Sequence, residues 1–387
     1  MDVDAAQVLA FRLAAHGLTH GRGDDPDPLA PLAGWGVQDS PPGAATGALL
    51  TRAHAKHPLA VDALTDAIAD RSVVALYNAR TATAVVGAAD VAAFATALRP
   101  TDDDTELKAL VGSTLPESSG DHAGPVATAV DAISDVLDGT TLSRDDLHEA
   151  LRGRLPKALL PWCAGCKSHH ARRGLLVMAA LNGRLCLEGR AGRQPRFART
   201  DQTVAWRPPA DEDDARAELV RRYLRLYGPS TRQDFAAWAG VGTAQGKRLW
   251  TLVDDESRDD VTVSGVARGG GRRILEADTR RLAQPRDASG VHLLTPGDPL
   301  LLARDRDVLL DDRDAAKRVW KAIGGAGLVL VDGRVAALWR GRKQGRRLDV
   351  TVDPLPRAGR LPLTKLAAVA DALAPHRGCD GAAVTVS

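Results

Sequence analysis

At 387 residues the chain can bury a sizeable core and divide into two or three domains. Its 51 Lys and Arg nearly cancel 49 Asp and Glu, so the net charge of +2 identifies no partner. No apolar run is long enough to span a bilayer, the N-terminus lacks a signal-peptide profile, and four cysteines without the spacing of secreted scaffolds point to a reducing cytoplasm.

In chain order, residues 3–16 read as an amphipathic helix and 21–31 as an Asp/Pro/Gly loop. Residues 44–55 and 60–70 look helical, 72–77 and 81–86 lean to strand, and 88–98 are helical again. The polar stretch 100–124 fits a lid or linker. A helix then runs to Leu137, Gly139 breaks it, and Ser143 caps residues 144–151. Strand-like segments follow at 175–181 and 184–187, and Arg207-Pro208-Pro209 marks a boundary.

Residues 218–278 spell out a winged helix. The helical run 218–227 is stopped by Gly228-Pro229; Ser230, with Gln233 three residues on, offers a capping box for a short helix bearing Phe235, Trp238 and Ala239. Thr243 caps a third helix, 244–253, and alternating strands 260–266 and 273–277 flank a glycine turn. Such a unit presents one helix to a DNA groove. Gln245, Lys247 and Arg248 lie near the start of that helix, and Arg268, Arg272 and Arg273 at the hairpin. The same fold also serves structural or protein-binding roles.

The C-terminal third is β-rich. Strands 328–331 and 334–339 flank Asp332-Gly333, a two-residue hairpin signal, and strand 347–352, helix 364–373 and strand 382–387 follow. Arg340, Arg342, Lys343, Arg346 and Arg347 crowd eight positions, suiting either a phosphate-contacting loop or a solvated hairpin end. The expected fold is α+β, with tandem winged-helix domains and a β-rich C-terminal domain. Its expected segments are 1–124, 125–209, 210–280 and 281–387.

Gly36-Val-Gln-Asp-Ser-Pro-Pro-Gly-Ala44, the stretch 223–239, Asp298-Pro-Leu-Leu-Leu302 and the segment 328–340 carry a family likeness. Over about residues 30–355 the chain resembles the winged-helix DNA glycosylase family of the AlkZ/YcaQ type. The resemblance implies hydrolysis of the N-glycosidic bond of alkylated or bulky-adduct purines, interstrand crosslinks included. It also implies a Gln-x-Gln or Gln-x-Asp motif that positions the hydrolytic water. Gln38 matches the first motif position and Ser40 the second, with Asp39 between them. Arg80 opens a stretch that reads Arg-Gly-x-x-His in many relatives; here Thr81 and Ala84 replace the glycine and the histidine.

In an extended segment Gln38 and Ser40 would share a face, and neither is a general base at neutral pH. Pro41-Pro42 favours a turned backbone that brings in Asp39 instead. An N7-alkylated purine already carries a weakened glycosidic bond, so Gln38 to orient water and Asp39 to supply negative potential would suffice. Alternatively, Gln38 is a buried amide tying a loop to backbone. The motif holds no lysine, so no lyase step is expected, and no cofactor either.

Trp35 can stack on a flipped base or belong to the core. Trp162-Cys163-Ala-Gly-Cys166-Lys-Ser-His169-His170 holds half a zinc motif, with Cys163, Cys166 and one of the two histidines, His169 as the candidate, as ligands and Cys186 as a fourth; two small buried cysteines and a polar histidine pair at a domain edge are the other reading. No metal is expected for the reaction. Two functions remain open: a monofunctional glycosylase, and a non-catalytic winged-helix DNA-binding or regulatory protein. Double-stranded DNA is the expected partner and a monomer the expected state: a regulator would dimerise to read two half-sites, and no dimerisation helix is evident.

Overall fold

A computed structural model describes residues 1–19, 27–53, 56–101, 104–111, 115, 122–192, 194–356 and 358–387. Two compact units emerge. The first gathers Met1–Ala63, Arg222–Asp234 and Asp254–Ser387; the second gathers Leu64–Arg221 and Phe235–Val253. The four consecutive segments expected from the sequence do not map one-to-one onto these interleaved units.

The chain opens with β1 (Asp2–Asp4) and α1 (Ala5–Ala15). Asp4 caps α1 by accepting from the Gln7 amide at 2.8 Å, and the Gln7 side chain returns the bond. α2 (Ala30–Trp35), β2 (Val37–Gln38) and α3 (Ala44–Arg52) complete this N-terminal part of the first unit. The second unit begins with α4 (Ala63–Ala69), the antiparallel strands β3 (Val73–Tyr77) and β4 (Thr83–Gly87), α5 (Val91–Ala97) and α6 (Asp104–Val111). α7 (Ala123–Val136) and β5 (Leu142–Ser143) lead to α8 (Arg144–Arg152), which Ser143 caps as expected.

A short hairpin of β6 (Trp162–Cys163) and β7 (Ser168–His169) precedes α9 (Arg173–Leu181), β8 (Cys186–Ala191), β9 (Gln194–Ala198) and α10 (Thr200–Thr203). The expected strand at 175–181 is overturned. All seven residues are buried inside α9, and a helix apolar on every side shows no 3.6-residue period to distinguish it from a buried strand. Within this unit the strand order is β4-β3-β8-β9-β5.

α11 (Glu212–Tyr227), α12 (Arg232–Ala239) and α13 (Thr243–Thr251) are followed by the antiparallel pair β10 (Ser257–Ser264) and β11 (Arg272–Leu275), giving the winged-helix order of elements. The caps differ from expectation. Thr231, not Ser230, accepts from the Asp234 amide at 3.1 Å; the Ser230 hydroxyl instead meets the Tyr223 hydroxyl at 2.6 Å. Gly242 is the N-cap of α13, and Thr243 is its first helical residue. β1 joins this hairpin in parallel, making a sheet of order β1-β10-β11.

α14 (Thr279–Ala283), β12 (Val291–Leu294), α15 (Arg313–Val319), β13 (Gly327–Val331), β14 (Arg334–Gln344), β15 (Arg347–Pro354), α16 (Leu363–Leu373) and β16 (Gly381–Val386) finish the first unit. Their five strands pair in chain order, antiparallel except for the parallel β15–β16 pair. Asp332 and Gly333, with φ of 47° and 76°, make the expected tight turn. Alternate side chains feed two cores. Leu294, Leu328 and Leu330 pack with Leu13 and Leu18, while Leu293, Val329 and Trp339 pack with Leu366 and Leu373 of α16 and with Leu50 of α3. Each such fully buried side chain contributes about 1.5–3 kcal/mol, so this sheet is a firm base for whatever rests on it.

Candidate active site

The Gln38 motif lies where β2 turns into α3. After Gln38 the backbone leaves the strand, and the Gln38 amide nitrogen folds back to donate to the Ser40 carbonyl at 2.7 Å. Asp39 reaches forward instead. Its Oδ1 accepts from the backbone amides of Gly43 at 2.8 Å and Ala45 at 3.1 Å, so it satisfies first-turn donors of α3. A negative charge placed there interacts favourably with the positive end of the helix. Gln38, Asp39 and Ser40 are all half-buried, and Asp39 Oδ2 makes no hydrogen bond among the described residues. The turned backbone expected from Pro41-Pro42 is present, and it commits Asp39 to helix capping.

α3 is held from behind by residues to which the sequence assigned no role. The Arg52 guanidinium grips Asp298 through both nitrogens, at 2.7 and 2.9 Å, and also donates to the His16 and Ala48 carbonyls at 2.8 Å. Asp298 accepts the Leu300 amide at 2.9 Å. The Thr51 hydroxyl meets the Leu293 carbonyl of β12 at 3.0 Å. Contact is close at Gly47, where a Cβ would stand 2.6 Å from Thr295 Cγ2. Gly297 (φ 88°) presses on the motif itself, since its Cβ would lie 3.1 Å from the Ser40 carbonyl oxygen. Asp298-Pro-Leu-Leu-Leu302 is thus the abutment of α3. The sequence picked this segment out as part of the family likeness but gave it no structural role.

The cationic candidates separate by burial. Lys247, Arg268, Arg340, Arg342, Lys343, Arg346 and Arg347 are exposed. Arg346 pairs with Asp380, Arg347 with Asp349, and Lys343 donates to the Gly378 carbonyl. Arg340 and Arg342 lie two residues apart on β14, on one side of the strand, without an ion pair among the described residues. Arg248 is half-buried against Glu106, and Arg273 against Asp254. Two candidates leave the group. Gln245 is only 3% exposed and donates to the Leu98 carbonyl at 3.2 Å. Arg272 is 1% exposed and lies beneath its own hairpin, bonded to Asp305 and to the Arg268 and Pro229 carbonyls.

Arg80 (φ 55°) donates to the Trp238 carbonyl inside the second unit. Thr81, standing where the resemblance expects glycine, has φ 57°, a conformation that favours glycine. The Trp35 side chain lies outside the described residues. Of the sulfur and imidazole candidates, Cys163 and Cys166 come together with His170, their ligand atoms within 4.8 Å of one another. His169 instead turns Nδ1 to the Leu160 carbonyl at 2.9 Å, and Cys186 is fully buried with its sulfur on the Ala198 carbonyl at 3.7 Å.

A family model described as "DNA glycosylase AlkZ-like" matches residues 32–376. The chain belongs to this family. It is 28% identical, over 280 residues, to an interstrand DNA cross-link repair glycosylase of Streptomyces sahachiroi, covering 69% of this chain and 72% of that protein. The solved structure of the Streptomyces sahachiroi DNA glycosylase AlkZ superimposes with a TM-score of 0.72 at 22% identity, covering 100% of both chains, so the fold is shared throughout. The mixed α and β fold of this AlkZ-like chain, with its β-rich C-terminal sheet, is the fold expected above. No helix among the described residues is long and apolar enough to cross a membrane.

Proposed function

We propose that this AlkZ-like protein is a monofunctional DNA glycosylase that acts as a monomer on duplex DNA and removes N7-alkylated or bulky-adduct purines, crosslinked purines included. The observation that supports this reading is the fixed loop Gln38-Asp39-Ser40 at the start of α3, in a chain that matches the family model from 32 to 376. In this reading the Gln38 amide oxygen accepts a hydrogen of the attacking water while its nitrogen holds the loop. Asp39 contributes a fixed anion that stabilises the oxocarbenium-like sugar. Proton abstraction is a small part of the work, because the leaving base is already cationic. Exposed Lys and Arg supply phosphate contacts.

One feature favours the second reading, DNA binding without cleavage. Asp39, the sole carboxylate of the motif, serves as a helix cap. The deciding experiment is base release from duplex DNA carrying N7-alkylguanine, and from a duplex crosslinked through two purines, for wild type against Gln38→Ala. Release by wild type with a loss of roughly 10²-fold or more in the variant supports the enzyme. Binding without release from either duplex supports the second reading.

A further inference from the structure

We propose that Cys163, Cys166 and His170 form a binding site for a thiophilic divalent cation of the zinc class, one that clamps the β6–β7 hairpin of the second unit. The three ligand atoms already lie within 4.8 Å of one another. In a tetrahedral site with Zn–S about 2.3 Å and Zn–N about 2.0 Å, they would stand roughly 3.5–3.8 Å apart, so closure needs only side-chain adjustment.

The backbone is arranged for it. Cys163 ends β6 opposite Ser168, and the chain turns through Gly165 and Cys166 to Lys167, whose φ is 50°. This turn folds the chain back over Cys163, so that a Cβ on Gly165 would stand 4.0 Å from the Cys163 sulfur. The thiolate is the form that ligates metal.

His170 is prepared in the same sense. Its Nδ1 is 2.8 Å from the Ala171 carbonyl, and a carbonyl can only accept, so the ring hydrogen sits on Nδ1 and Nε2 carries a lone pair. That Nε2 is buried and has no hydrogen-bond partner. Behind it stands His148, 8% exposed, with ring centroids 4.6 Å apart. Two thiolates and a neutral imidazole cancel a divalent charge and suit a borderline-soft ion over calcium or magnesium. A fourth position is left for solvent or a further ligand.

The test uses the full chain, stripped of metal under reducing conditions and titrated with zinc or cobalt(II). The expected result is one ion per chain. Cobalt should give thiolate charge-transfer and tetrahedral ligand-field absorption, and both signals should be lost in Cys166→Ser and His170→Ala but kept in His169→Ala. Cys166 is exposed, so its variant tests binding without disturbing the core. The proposal is overturned if wild type takes up no stoichiometric ion, if Cys166→Ser retains the spectrum, or if His169→Ala abolishes it. Quantitative Cys163–Cys166 disulfide formation without metal uptake after full reduction would also overturn it.

Discussion

The Arg52 guanidinium and the Asp298 carboxylate meet in a two-pronged ion pair, with side chains only 1% and 0% exposed. It joins the end of α3 to the turn after β12, and so fixes the helix whose first turn Asp39 caps. Removing one partner leaves the other charged and buried. Arg52→Met should therefore cost about 3–5 kcal/mol in chemical denaturation. Base release should also fall in the fraction that stays folded. A loss below about 1 kcal/mol would show that the pair does not hold α3.

Asp39→Asn separates the two duties of that side chain. Asparagine caps a helix about as well as aspartate, so the loop and its bonds to Gly43 and Ala45 should persist and the melting temperature should change little. If the anion acts on the sugar, base release should drop by roughly 10²-fold or more. Affinity for duplex DNA should stay equal or rise slightly, since a negative charge has been removed. Unchanged release in this variant, with Ser40→Ala inactive, would shift the chemistry to the second motif position.

Arg340 and Arg342 are the strongest phosphate-contact candidates. Mutating both to Gln should weaken binding to any duplex and lower the slope of log affinity against log salt by about two. Gln245→Ala should leave that slope unchanged and lower stability instead, because it strips the Leu98 carbonyl of a buried partner. A slope that responds to Gln245 but not to Arg340 and Arg342 would reverse this assignment.

Acid sensitivity should trace to Asp305. Burial pushes its carboxyl up, but Arg12 and then Arg272 more than offset this and hold it below the ordinary carboxylate value of 3.8. A depressed folded value means that its stabilisation is complete above about 3.8 and is lost as pH falls through the folded value. Asp305→Asn should destabilise the protein at neutral pH, leaving two arginines buried without a counter-charge, and should flatten the decline in melting temperature below that pH. An equally steep acid decline in the variant would place the sensitive group elsewhere.

Sequence periodicity conveyed the winged-helix helices well, because they have one wet and one dry side, and the Asp332-Gly333 turn and apolar runs conveyed the β-rich end, whose central strands are buried on both faces. Periodicity misread 175–181, where α9 is buried all round and leaves no period. Residue type misplaced Gln245 and Arg272. Polar side chains default to the surface in a sequence reading, and the groups that draw these two inward, Leu98 and Asp305, lie far off in the chain. The choice between His169 and His170 needed the β6–β7 register, which sends neighbours to opposite sides. Gln38 and Asp39 were legible as a motif. That Asp39 would cap α3 was foreseeable only in part, from Pro41-Pro42, because the cap spans a turn whose geometry no short-range pattern specifies.

β1 has a consequence for how the protein is made. Asp2 to Asp4 lie parallel to Thr262 to Ser264, and the amino group of Met1 donates to the Asp260 carbonyl. Closing a loop of about 260 residues is entropically affordable once, but it cannot happen until β10 has left the ribosome. During synthesis the second unit can fold as it emerges, while α1, with its buried Arg12, waits for Arg272 and Asp305 to arrive. The helix α3 that follows Gln38 therefore spends most of translation without the sheet it packs on, and ribosome-stalled chains ending before residue 300 should be cut by protease within the first 60 residues but resist across 125–200.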